Sequence, residues 1–150
     1  MEAENAPFPY GEWPARNARI GDVLTLGPAY GAMTLPETPE GAWLFLAAGS
    51  GITPMIAMIR DQAAQGMPIS IALAYWARHR DELCFVDELR ELAERFPSFR
   101  VDFVLTRDHE ADAFRHGRID TASLSTLAPD LHHCRVFACG SSGFVDAARN

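Results

Sequence analysis

From residue 42 onward the chain alternates uninterrupted apolar runs with longer segments that mix apolar and polar residues. The runs 43–48 and 69–75 are typical of strands that are covered on both faces of a sheet. Residues 99–106 and 135–139 predict a third and a fourth strand. Because strands that alternate with helices form parallel sheets, the pattern predicts an α/β fold with a Rossmann-like parallel sheet and helices on both faces.

The segments that separate the strands predict helices. Residues 52–65 follow the first strand, and 81–96 carry apolar side chains at helical spacings, with Asp81 placed to cap them. Residues 122–127 predict a short helix, and Ser142 begins another. The acidic face of the second helix is most simply a solvated surface, although a partner protein could also contact it.

The N-terminal part has a different pattern. Residues 18–35 alternate loosely around a turn at 27–31, which predicts two strands joined by that turn. Residues 36–41 have the composition of a linker. We therefore expect two parts, residues 1–38 and residues 39–150, of which the second is the α/β domain.

The type of basic residue in the chain limits which cofactors it could bind and how. The chain has 150 residues, is 48% hydrophobic, and has a formal net charge of −7, which disfavours nucleic acid and anionic membranes as partners. All 13 basic residues are arginines. The lack of lysine excludes the Walker P-loop and Schiff-base chemistry. An anionic cofactor would therefore have to be bound by guanidinium groups and backbone N–H groups.

Cysteine usage and the uncharged stretches predict a soluble cytoplasmic protein. Cys84, Cys134 and Cys139 form no CxxC pair, which favours a reducing compartment. Residues 43–59 carry no charge, but the stretch is shorter than the roughly 20 residues of a membrane span, and glycine and proline interrupt it. Residues 1–9 are acidic and lack the apolar core of a signal peptide.

The loop after the first strand is the strongest candidate for ligand binding. In parallel sheets, ligands bind beyond the carboxyl ends of the strands. There the sequence reads Gly49-Ser50-Gly51-Ile52-Thr53-Pro54, in which Thr53 is a natural N-cap and Pro54 suits the first helical position. Such a helix N-terminus is suited to a pyrophosphate. The alternative is an ordinary strand-to-helix turn, because this composition is common there.

The same loop resembles the nicotinamide-nucleotide domain of the ferredoxin–NADP reductase superfamily. The resemblance covers residues 18–150 and is closest to the bacterial reductases that carry a fused [2Fe–2S] ferredoxin domain. Further matching motifs are Gly21-Asp22, Gly27-Pro28, Tyr75 with Arg78, Thr106-Arg107, Gly117-Arg118-Ile119 and Cys139-Gly140.

The resemblance implies a role for each matching residue. Five residues of the first loop would lie under the nicotinamide ribose and pyrophosphate: Gly49, Ser50, Gly51, Thr53 and Pro54. Arg78 would face the adenosine end, and Arg107 and Arg118 would grip the 2′-phosphate of NADPH. The alternative for the arginines is solvated salt bridges with Asp81, Asp108 and Asp120.

The loop after the fourth strand would complete the cofactor site. The resemblance implies that Cys139 lies beside the reacting carbon of the nicotinamide and that Gly140 and Ser141 contact the cofactor. Ser141 departs from the proline that is usual in the family. The alternative for Cys139 is a buried strand cysteine that acts as a small hydrophobic residue.

Other features limit what the chain is expected to contain. Two family signatures of the flavin site, Arg-x-Tyr-Ser/Thr and Gly-x-x-Ser/Thr, are not found, and residues 11–16 stand where the second would be. Residues 1–38 are therefore expected to be the remnant of an FAD-binding barrel. Four of the family's five parallel strands are expected, with one sheet edge bare. His132-His133-Cys134 is a poor metal site, because neighbouring side chains on a strand point to opposite faces.

These observations together predict an incomplete NAD(P)H-dependent reductase. The resemblance implies that hydride passes from NAD(P)H to FAD, and that electrons pass on to a ferredoxin-type [2Fe–2S] domain or protein, with an oxygenase or desaturase downstream. The alternative is a non-catalytic nucleotide-binding or interaction module.

Overall fold

The structure, a computed structural model, describes residues 17–23, 25, 28, 33–36, 38–108, 114–120, 124 and 134–149. The chain divides into two compact units, Met1–Ala32 and Met33–Asn150. In the first unit, a turn is closed by the Asp22 N–H, which donates to the Arg19 carbonyl at 3.0 Å. The described residues of the predicted strand pair at 18–35 carry no strand, and the other residues of that stretch lie outside the description.

The second unit contains the predicted parallel sheet. Its strands are β1 (Ala42–Ala48), β2 (Ser70–Ala77), β3 (Phe99–Leu105), β4 (Arg115–His116) and β5 (Cys134–Cys139). Its helices are α1 (Ile52–Ala64), α2 (Val86–Arg95) and α3 (Ser142–Arg149). All paired strands are parallel, and their order is β4-β3-β2-β1-β5. The predicted fold class is therefore confirmed.

The strand order reverses next to β1. The chain moves outward from β1 through β2 and β3 to β4, and then returns to place β5 on the other side of β1. Connections to β2 and β5 leave the sheet in opposite directions at this point, which opens a crevice beyond the carboxyl ends of β1 and β5.

Helices cover both faces of the sheet, as predicted. Alternate side chains of β1 point to opposite faces, so that Trp43 and Phe45 pack under α1 and α2 while Leu44 and Leu46 lie on the α3 side. Phe45 is fully buried and meets the ring of Phe137 edge-on at 5.3 Å. Burial on both faces explains why β1 and β2 are apolar without interruption.

The start of α2 was predicted wrongly. Asp81 lies in a 3₁₀ turn, Arg80–Glu82, and α2 begins only at Val86. The Cys84 N–H donates to the Tyr75 hydroxyl at 3.3 Å, which ties the intervening segment to β2. The residue before α2 is Phe85, whose φ of 61° is left-handed. This tertiary hydrogen bond explains why the helix does not extend back to Asp81.

A short strand that the sequence does not predict lies between the third and fourth predicted strands. This two-residue strand, β4, pairs with the end of β3, which gives the sheet five strands among the described residues. Among the described residues, β5 pairs with β1 alone, and Val136 is 48% exposed at that edge.

Some predicted features fall outside the described residues. These are His132 and His133 and, apart from Leu124, the predicted helix at 122–127. Within the described part of the chain, no group of histidine, cysteine or acidic side chains could hold a metal ion. No helix among the described residues is long and apolar enough to cross a membrane.

Candidate nucleotide-binding site

The loops after β1 and β5 touch each other where the strand order reverses. A Cβ on Gly51 would overlap the carbonyl oxygen of Cys139, and a Cβ on Gly140 would lie 2.9 Å from that of Ala48. Both glycines are therefore required for the close approach of the two loops. Their predicted part in cofactor binding stays a prediction, because packing alone accounts for them.

Helix α1 begins at Ile52, as predicted, but the predicted N-cap is wrong. A 3₁₀ turn, Gly49–Gly51, follows β1 directly, and Gly51 rather than Thr53 is the N-cap. Thr53 is instead the second residue of α1, and its hydroxyl donates to the Ser50 carbonyl at 3.0 Å. Pro54 is the third helical residue. The first N–H groups of a helical turn have no partner inside it, so the exposed Gly49 and Ser50 mark the positive end of the helix.

A cleft of about 670 Å³ lies beyond the carboxyl ends of β1, β2 and β3, on the α3 face of the sheet. Its volume is in the range of small-molecule and cofactor sites. Four residues predicted for the cofactor line it, namely Gly49, Arg78, Arg118 and Ser141. Its other lining residues are Ala48, Trp76, Ala77, Glu82, Thr106, Ile119, Gly143, Phe144 and Ala147.

Arg78 is bound to an acidic residue that sequence reasoning missed. Its guanidinium contacts both carboxylate oxygens of Glu82, at 2.8 and 3.2 Å, and its backbone N–H donates to the same group at 3.1 Å. These hydrogen bonds lower the pKa of Glu82 below its ordinary value. The salt-bridge interpretation thus holds for Arg78, but with Glu82 and not with Asp81. The spacing of four residues was the available sequence signal.

The other two predicted arginines differ in position. Arg118 is exposed, lines the cleft, and forms no ion pair with any described residue. Arg107 is also exposed but lies outside the cleft lining. The backbone N–H of Arg107 donates to the Arg78 carbonyl at 3.0 Å, which joins the ends of β2 and β3. Among the described residues, the lining of the cleft therefore includes one guanidinium without an ion pair, that of Arg118.

Cys139 lies on the opposite face of the sheet from the cleft. Its side chain is half-buried against the core beneath α1 and α2. Ser50, Thr53, Pro54 and Gly140 are also outside the cleft lining. The predicted residues thus form two groups, which meet at the turn Gly49–Gly51. A ligand that crosses this turn would contact both.

The cleft combines open space, an apolar wall and positive charge. An added Cβ on Gly49 or Gly143 would meet no heavy atom within 4 Å, so both positions leave open space. Trp76 and Phe144 pack together with ring centroids 5.4 Å apart and provide an apolar wall. Arg118 supplies positive charge. Apolar walls with few polar groups are typical of cofactor sites.

The fold and the cleft define the class: a doubly wound α/β domain with a dinucleotide-type crevice at the reversal of strand order. Residues 45–150 match the family model described as the oxidoreductase NAD-binding domain. The chain belongs to this family, within the ferredoxin–NADP reductase superfamily.

Individual relatives agree with this membership. The chain is 31% identical, over 91% of its length, to the ferredoxin reductase component of 3-ketosteroid-9-alpha-monooxygenase from Rhodococcus rhodochrous. It is 30% identical, over 90% of its length, to NADH oxidoreductase HCR of Escherichia coli. It spans 37% and 39% of these two proteins, respectively.

A solved structure shows the same architecture. The ferredoxin NADP+ reductase from Neisseria gonorrhoeae, with bound FAD and NADP, superposes with a TM-score of 0.65 at 26% identity. The match covers 81% of this chain and 52% of the Neisseria chain.

Proposed function

We propose that this chain binds NAD(P)H as the nucleotide domain of a flavin-dependent reductase. The observation that carries the proposal is the cleft at the reversal of strand order, lined by Gly49, Arg118 and an apolar wall. Family membership and the names of the relatives support it. We further propose that FAD is bound outside this cleft and that a ferredoxin-type [2Fe–2S] group accepts the electrons.

The chain's own residues would position the nucleotide. The adenosine end occupies the cleft beside Arg118, and the pyrophosphate crosses the exposed turn at Gly49 and Ser50, where the helix dipole favours negative charge. The nicotinamide then lies on the far side of the turn, near Thr53 and Cys139. The flavin, when bound, supplies hydride acceptance and one-electron release, and the protein supplies orientation.

Selectivity for NADPH would depend on Arg118 and Glu82. One charge-assisted hydrogen bond to phosphate contributes about 1.5–3 kcal/mol, or roughly a tenfold to hundredfold preference. Because Arg107 lies outside the cleft lining, we propose a preference of this size and not the larger one that two arginines would give. The carboxylate of Glu82 opposes a 2′-phosphate and reduces the preference further.

The proposal is tested by filling the cleft from Gly143. Leu is favoured over Gly in helices, and an added side chain meets open space, so Gly143→Leu should fold normally. We expect calorimetry to show at least a tenfold loss of affinity for both NADP+ and NAD+. The control is Ala57→Leu, an exposed position on α1 outside the cleft lining.

Three results would count against this assignment. Equal nucleotide affinities of the wild type and Gly143→Leu would show that the nucleotide does not bind in the cleft. No binding by the folded wild type would refute the proposed function. A longer protein that includes this chain could also be expressed. If it binds the nucleotide but shows no flavin absorbance, the alternative of a non-catalytic binding module is favoured.

A further inference from the structure

Arg118 lines the cleft and lies two residues after the short strand β4. The preceding strand, β4, has two residues, and its register positions are Val104 with Arg115 and Leu105 with His116. The N–H of Gly117 then donates to the Leu105 carbonyl at 3.0 Å. With a φ of 126°, Gly117 turns the chain toward Arg118. So short a ladder needs other contacts to be stable.

One side-chain contact joins this segment to the longer strand. The Arg115 guanidinium lies 2.7 Å from Asp102 of β3, and the Asp102 side chain is 25% exposed. Asp102 is two residues before Val104 on β3, and both residues of the pair line the cavity between α2 and β3 rather than the cleft. In the proposed nucleotide site, neither Asp102 nor Arg115 contacts the nucleotide.

We propose that the Asp102–Arg115 ion pair is a positioning device that holds Arg118 where it can bind a nucleotide phosphate. The inference rests on the proposed function, because Arg118 matters only if the cleft takes a phosphate-bearing ligand. The ion pair holds Arg115, the first residue of β4, against β3. The turn at Gly117 follows directly and therefore fixes the position of Arg118. Asp102 and Arg115 are therefore positioning residues that act through Arg118.

The test is a double-mutant cycle on the full chain with NADP+ as the probe, read by calorimetry. We expect Arg118→Ala to weaken NADP+ binding about tenfold or more. We expect Asp102→Asn to weaken it about two- to fivefold, which is the scale of an exposed ion pair. In the Arg118→Ala background, Asp102→Asn should change the affinity less than about twofold, because the residue that it positions is gone.

Two further variants separate positioning from general stability. The charge-reversed pair, Asp102→Arg with Arg115→Asp, should recover affinity that either single reversal loses. The matched control is Glu88→Gln, which removes the ion pair of Arg60 and Glu88, also 2.7 Å long and also exposed, but joining α1 to α2. The control should leave NADP+ affinity unchanged.

The possible results are distinct. A folded wild type that does not bind NADP+ refutes the proposed function itself. If the wild type binds and Asp102→Asn binds equally well, the function stands and the positioning role is wrong. An equal loss from Asp102→Asn with and without Arg118 would also overturn the positioning role, because the pair would then act on stability alone.

Discussion

At the residue scale, the charged side chains that line the cleft in the described part of the chain are two arginines and one glutamate. Arg78 is already bound by Glu82, whereas Arg118 has no ion pair among the described residues. Sequence reasoning could identify the arginines because they follow the strands. The only sequence signal for Glu82 is its spacing of four residues from Arg78, because the 3₁₀ turn that folds it back onto Arg78 has no hydrophobic pattern.

Glu82→Gln should strengthen NADPH binding more than NADH binding. The substitution removes a negative charge from the cleft and frees the guanidinium of Arg78 for the ligand. NADPH gains more because it carries the additional phosphate. We expect a shift of about three- to tenfold in the ratio of the two dissociation constants, measured by calorimetry. A weaker binding of NADPH would show that Glu82 contacts the ligand favourably.

Arg118→Ala and Arg107→Ala should differ in their effects. Arg118 lines the cleft, so its loss should weaken NADPH binding about tenfold more than NADH binding. Arg107→Ala keeps the backbone hydrogen bond to Arg78 and should change both affinities less than about threefold. Titration of both variants with both nucleotides measures this. Equal losses of NADPH affinity in the two variants would support the prediction that Arg107 and Arg118 bind the same phosphate.

At the element scale, the long elements followed from the sequence and the short ones did not. The apolar runs of β1 and β2 predicted strands because both faces are buried. The two residues of β4 are too few to show a period, and contacts with β3 define the strand. The start of α2 depends on the hydrogen bond from Cys84 to Tyr75, which joins segments nine residues apart.

The contact between α1 and α2 predicts how stability depends on pH. Arg60 binds both carboxylate oxygens of Glu88, at 2.7 and 2.8 Å, and this holds the pKa of Glu88 below its ordinary value of 4.5. The ion pair therefore stabilises the fold above pH 4.5, and the stabilisation is lost as pH falls through the lowered pKa of the folded state.

Urea unfolding measured between about pH 6 and pH 3 tests this. The wild type should lose more stability over the range than Glu88→Gln, which cannot titrate at this position. The difference should be small, because Arg60 is more than half exposed. Equal losses in the two proteins would show that the ion pair contributes nothing to folding.

At the scale of the whole molecule, the chain combines a net charge of −7 with a cleft that presents guanidinium groups. The parallel sheet, the helices on both faces and a cleft at the carboxyl ends could all be predicted, because they follow from the alternation of elements. The distribution of site residues over two faces could not, because it depends on which loop residues pack inward.

The central claim is that a nicotinamide nucleotide binds at the reversal of strand order. Amide hydrogen exchange with and without saturating NADP+ tests it most directly, because it locates the bound ligand on the folded chain. We expect increased protection at residues 49–53, 78–82, 117–119 and 140–144. Protection confined to the cavity of about 600 Å³ between α2 and β3, or no change in a folded sample, would contradict the claim.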